Sequence, residues 1–136
     1  MKTHIGEWVD LVLEIEGPFV QAHPMHKHGN KAFVIGQGLG SFPWATVSEA
    51  ANELPLGTFN LVDPPYKDTF KTLEAVNNNS WLALRYKVDI AGAWLFHCHI
   101  QTHLAGGMGI VILDGVDQFP NVPEEYLEWN GFKRPS

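Results

Sequence analysis

A chain of 136 residues has the usual size of one compact domain. Apolar residues make up 45% and charged residues 18%, which excludes a disordered chain, and nine basic against fifteen acidic residues leave a net charge of −6, which argues against nucleic acid or an anionic membrane as partner. One cysteine, Cys98, excludes an internal disulfide and a cysteine-rich zinc module, and no apolar run reaches the roughly eighteen residues of a transmembrane helix.

Glu7 and Asp10 interrupt the N-terminus before an apolar stretch can form, so no secretory signal is read there. Trp8–Glu16 alternates, with Val9, Leu11, Leu13 and Ile15 on one face, and predicts a strand ending at Gly17-Pro18. Lys31–Ile35 predicts a second strand, closed by the glycine-rich stretch Gly36–Gly40. Ser48–Leu54 is the one internal helix expected, with Ser48 as N-cap and Pro55 as stop. Further strands are predicted at Thr58–Val62, Asp68–Thr72, Trp81–Val88, Trp94–Ile100 and Met108–Leu113, with turns at Asn77–Asn79 and Asp89–Gly92. About seven short strands with regular turns predict an all-β fold, an antiparallel sandwich or small Greek-key barrel. The whole chain, 1–136, reads as one domain, with 117–136 as a C-terminal tail containing a helix-like stretch at 123–129.

Six of the seven histidines fall in two short stretches, His23–Gly29 and His97–Met108, and the only cysteine lies between His97 and His99. In a strand, residues two apart share a face at a separation of about 6.6 Å. His26, His28, His97 and His99 are therefore expected on one face, directed to solvent. Cys98 points the other way, joined by His23, His103 and Met108 if the flanking segments fold over it; Pro24 is expected to free His23 from regular pairing. Two imidazoles, a thiolate and a thioether form the ligand set of a blue-copper centre, and an imidazole-only set suits copper or another borderline metal. A structural zinc site usually takes at least two cysteines, and a three-histidine zinc enzyme leaves Cys98 and Met108 without a role. His4 reads as a surface histidine without a partner. Met25 reads as a loop or packing residue, and Trp44, Trp81 and Trp94 as core or rim.

At these residues the sequence resembles the multicopper oxidases, the family of laccases and ascorbate oxidases. That family's C-terminal cupredoxin domain carries a His-Pro-X-His-X-His-Gly motif, here His23–Gly29, and a His-Cys-His-Ile-X-X-His-X-X-X-Gly-Met/Leu motif, here His97–Met108. The stretches before the first motif and at Phe59–Phe70 are similar to fungal laccase-like members. The resemblance implies a cupredoxin-like Greek-key sandwich with one type 1 copper at His23, Cys98 and His103 and Met108 as axial ligand. It implies His26 as a type 2 copper ligand, and His28, His97 and His99 as type 3 ligands. A phenol-like reductant would give electrons to the type 1 copper; they would pass through Cys98 to His97 and His99, and the trinuclear cluster would reduce dioxygen to water.

Two motif positions depart from the family: Lys27 stands where leucine is usual, and Asn30 where a further histidine is common. The cluster also needs two more His-X-His pairs from the family's N-terminal domain, and this chain contains neither. The expected partners are those missing cupredoxin domains, or a second copy of the chain, together with dioxygen and a small reductant. The alternative is a one-copper electron-transfer or copper-binding module without oxidase turnover. The resemblance also places Asp68 near the substrate edge. Asn78-Asn79-Ser80 is a glycosylation sequon in a polar turn, in keeping with a secreted protein.

Overall fold

The structure, a computed structural model, describes residues 1–17 and 19–123. Two four-stranded antiparallel sheets face each other. One has the order β1 (Trp8–Ile15), β8 (Ser80–Lys87), β4 (Ala32–Leu39) and β5 (Tyr66–Lys67). The other has β10 (Gly109–Asp114), β9 (Gly92–Cys98), β3 (Pro24–Lys27) and β6 (Thr69–Lys71). A small pair, β2 (Phe19–Val20) with β7 (Ala75–Val76), lies outside them. The chain passes repeatedly from one sheet to the other, with only β4–β5 and β9–β10 consecutive within a sheet, as in the expected Greek-key sandwich.

Period-two alternation divides the apolar residues of β8 between two cores. Leu82, Leu84 and Tyr86 point into the space between the sheets, where they meet Met25, Phe70, Phe96, Cys98 and Ile112, with Val9, Leu11 and Leu13 from β1 packed alongside. Trp81 and Ala83 point to the other side and join Ile35 and Val47 in a second cluster, with Val12, Phe42 and Phe59 against it. The helix α1 (Val47–Glu53) and its flanking loops thus cover the outer face of this sheet. Because β8 is buried on both faces, it reads as a continuous apolar run rather than as alternation.

Several expected elements are redrawn. The strand expected to close at Gly36–Gly40 instead runs through to Leu39, with a bulge between Val34 and Gly36. The glycines serve close packing: a Cβ on Gly36 would lie 2.7 Å from the Phe59 ring, and one on Gly38 would lie 2.6 Å from the Trp81 ring. Thr58–Val62 is not a strand; only Phe59 makes an isolated bridge, to Gly36. Phe59 packs against the outer face of the sheet, while Leu61 and Val62 stay exposed. The N-cap of α1 is Thr46, not Ser48, and its hydroxyl accepts from Glu49 N–H at 3.1 Å. The strand expected to reach Ile100 ends at Cys98, and a second helix, α2 (Gln101–Ala105), follows. The helix expected at 123–129 lies, from 124 onward, outside the described residues. His4 has a partner after all: its Nδ1 lies 3.0 Å from Glu7 Oε1.

Gly38→Ala is expected to cost about 1–3 kcal/mol through overpacking against Trp81. The urea midpoint should fall with no change in the slope of the transition, and an unchanged midpoint contradicts this reading.

Candidate metal centre

The central pairing of the second sheet builds the site. In register, Met25 lies opposite Cys98 and His26 opposite His97. Side chains of directly opposed residues share a face, so Met25 and Cys98 enter the core while His26 and His97 share the other side. Cys98 is fully buried.

On the core side, His23 precedes β3 and is not set loose by Pro24, which pairs with Lys71 as the first residue of the strand. His23 N–H donates to the buried Thr72 hydroxyl at 2.8 Å, and Thr72 N–H donates to the His23 carbonyl at 3.1 Å. His103 is carried back over Cys98 by α2. The three side chains converge: Cys98 Sγ lies 3.6 Å from His23 Nδ1 and 3.7 Å from His103 Nδ1, and the two Nδ1 atoms are 3.1 Å apart. Among the described residues this is the group whose ligand atoms all lie within 4.8 Å of one another. Ordinary metal–nitrogen and metal–thiolate bonds in a trigonal plane place the nitrogens about 3.5 Å from each other and about 3.8 Å from the sulfur. The donor triangle therefore fits a bound ion with small adjustment, and its two imidazoles and one thiolate suit copper. Burial, then the neighbouring His103, holds the His23 imidazole below its ordinary pKa, so it favours the neutral form that can ligate.

Met108 is tied to this group through its backbone. Its N–H donates to the His103 carbonyl at 2.9 Å, and its carbonyl accepts from Cys98 N–H at 3.0 Å. Its side chain is partly exposed and lines an apolar groove with Leu11, Leu13, Met25, Phe96 and Ile110. Met25 is buried in the core, as a packing residue should be.

The opposite side carries the four remaining imidazoles. Ring centroids are 4.8 Å apart for His26 and His28, 5.7 Å for His26 and His97, and 5.6 Å for His97 and His99. His28 Nε2 and His97 Nε2 approach to 3.3 Å. A carbonyl can only accept, so the contact of His26 Nδ1 with the Asp68 carbonyl at 3.0 Å makes Nδ1 the protonated nitrogen and leaves Nε2 free. His97 Nδ1 donates in the same way to the Cys98 carbonyl at 2.9 Å. Burial, then the neighbouring imidazoles of His26 and His97, lowers the pKa of His28.

One expectation needs correction. The four imidazoles do not all face solvent: His28 and His99 are exposed, but His97 is only 5% exposed because β3 and β10 flank it. Asp68 is brought beside the imidazole face, where its carbonyl accepts from His26 Nδ1–H. The residues missed altogether are Thr72, which anchors His23, and Asp114, whose carboxylate is fully buried below the first motif. A signal for Asp114 was present: alternation turns Lys27 inward with Met25, and a buried ammonium calls for a counter-ion.

Among solved structures, the laccase from Botrytis aclada has the same fold, with a TM-score of 0.64, 32% identity, and alignment over 82% of this chain and 19% of that one. A multicopper oxidase elcG from Phaeosphaeria nodorum is 72% identical over 99% of this chain, and Laccase 1 from Metarhizium anisopliae is 47% identical over 93%. The family model for multicopper oxidases matches residues 1–118, and the chain belongs to that family. It spans 22% of the length of either of these two relatives.

Copper(II) added to the chain is expected to give an intense visible thiolate band that disappears in Cys98→Ser while the fold survives. A band that persists in the variant removes Cys98 from the ligand set.

Proposed function

We propose that the chain is the copper-binding cupredoxin domain of a laccase-like multicopper oxidase, with residues 117–136 as its C-terminal tail. His23, Cys98 and His103 would hold one type 1 copper, with Met108 as weak axial ligand. His26 would be a type 2 ligand, and His28, His97 and His99 type 3 ligands. The observation that carries this reading is the back-to-back arrangement: Cys98 Sγ belongs to the buried triad while its neighbours His97 and His99 belong to the imidazole face. Copper at these positions would supply one-electron acceptance from a phenol-like donor and, with the ligands of the missing domains, four-electron reduction of dioxygen to water. The chain's own part is to hold and connect. The Cys98 side chain joins the backbone that carries both histidines, and the His97 Nδ1–H to Cys98 carbonyl hydrogen bond adds a second link. Full burial of Cys98 keeps water from the thiolate.

The imidazole face holds half of the cluster's ligands; the others would come from further cupredoxin domains or a second copy of the chain. No helix among the described residues is long and apolar enough to cross a membrane. The exposed Asn78 in its turn supports a secreted protein. A second reading, a one-copper module without turnover, is favoured for the chain alone by one contrast. The triad is closed by this chain's residues, whereas the four imidazoles do not close on a common point.

In an oxygen-uptake assay with a phenolic donor, the monomeric chain is expected to show the visible band and little or no turnover. Fast four-electron turnover by a proven monomer contradicts the division of ligands between domains. Met108→Leu is expected to raise the reduction potential, because a thioether stabilises copper(II) more than a hydrocarbon does. An unchanged or lowered potential in redox titration removes Met108 from the axial position.

A further inference from the structure

The two residues of the first motif that depart from the family pattern, Lys27 and Asn30, meet at one atom. Lys27 Nζ lies 3.2 Å and Asn30 Nδ2 lies 3.1 Å from the same carboxylate oxygen, Asp114 Oδ2. The other oxygen, Oδ1, accepts from the Thr3 hydroxyl at 2.9 Å and from the Tyr86 hydroxyl at 3.0 Å. The Lys27–Asp114 pair is completely buried, and Nζ lies 4.2 Å from the centre of the Tyr86 ring. A buried ion pair is stable only when its remaining polar groups are satisfied, and here the carboxylate has two donors on each oxygen.

Between the two clamped residues stands His28. Lys27 Nζ also donates to the His28 carbonyl at 3.4 Å, and His28 N–H donates to the Leu95 carbonyl at 2.9 Å. Gly29 turns with φ of 70°, and a Cβ there would lie 2.5 Å from the Trp94 ring. Asn30 Oδ1 accepts from the N–H groups of Asp89 and Ile90 at 2.9 and 2.8 Å. The exposed imidazole of His28 thus rises from a turn whose two ends are anchored to one buried carboxylate.

We propose that Asp114, acting through Lys27 and Asn30, is a positioning residue for His28, fixing the turn that aims its imidazole at the copper face. Asp114 touches no copper ligand itself. The inference rests on the reading of His28 as a ligand, and the test separates the two.

The test uses the full chain with labelled histidines. Asp114→Asn turns an amide N–H toward Lys27 and Asn30, or withdraws its acceptors from Thr3 and Tyr86. Without metal, the His28 ring resonances are expected to shift and broaden while those of His23 and His103 stay in place. With copper(II) as probe, the visible thiolate band should be retained, and copper(II) affinity at the imidazole face should fall roughly 10–100-fold, the usual effect of losing a group that orients a ligand. A variant that keeps the band with His28 resonances and affinity unchanged overturns the proposal. If His28 moves in Asp114→Asn but His28→Ala leaves copper(II) affinity at that face unchanged, the clamp is supported and the reading of His28 as a ligand falls. If Asp114→Asn does not fold, Lys27→Leu/Asp114→Asn removes both charges together. It should restore the band and leave His28 displaced; an undisplaced His28 overturns the proposal.

Discussion

The register between β3 and β9 is the constraint from which the candidate metal centre follows. Met25 opposite Cys98 and His26 opposite His97 commit each strand to one assignment of faces. A slip of one residue would turn Cys98 out of the core and drive imidazoles into it, so the register is enforced by hydrophobic burial as much as by hydrogen bonds. With Phe70, Phe96 and Ile112 around it, the thiol side of the sheet is the apolar core itself. The triad of His23, Cys98 and His103 is therefore an edge of the core, and the stability of the sandwich and the geometry of the site are the same packing problem.

Much of this was legible in the sequence because it is local. Two His-X-His pairs at period two, with a lone cysteine inside one of them, imply two opposed faces from spacing alone. The strand in β1 is equally plain, since Val9, Leu11 and Leu13 alternate and do face the core. The misread segments are those whose conformation is set from a distance. Gly36 and Gly38 look like a strand terminator, yet they are sheet residues made small for Phe59 and Trp81, which lie more than twenty positions away. Thr58–Val62 has a strand-like composition, but only Phe59 is used, packed against a sheet face, and Leu61 and Val62 are exposed. The helix α2 has no buried residue, so it lacks the apolar periodicity that reveals a helix.

Asp114 marks the limit of local reading most clearly. It lies 87 positions from Lys27 and 84 from Asn30, and all three are polar residues at positions where the family pattern or the alternation calls for something else. Each departure taken alone is a defect; together they form a satisfied network. Among the described residues no buried side-chain nitrogen or oxygen lacks a partner, although a lysine, an aspartate and an asparagine lie inside the fold. The ordering of the balance is physical: burial lowers the pKa of Lys27 while Asp114 supports its charge, and burial followed by Asp114 raises that of Tyr86. A carboxylate with four donors can tolerate such neighbours; one with fewer could not.

The loop from Cys98 to Met108 closes largely on itself. His103 N–H donates to the Ile100 carbonyl, Gly106 N–H to the Thr102 carbonyl, and Met108 N–H to the His103 carbonyl. Gln101, Thr102 and Ala105 are exposed and contribute nothing to either core. The rim over the triad is thus mechanically separable from the sandwich beneath it. Substitutions on that outer surface can reshape what approaches His103 without disturbing the strands that set its position. The fold divides its labour between a fixed interior and an interchangeable lip.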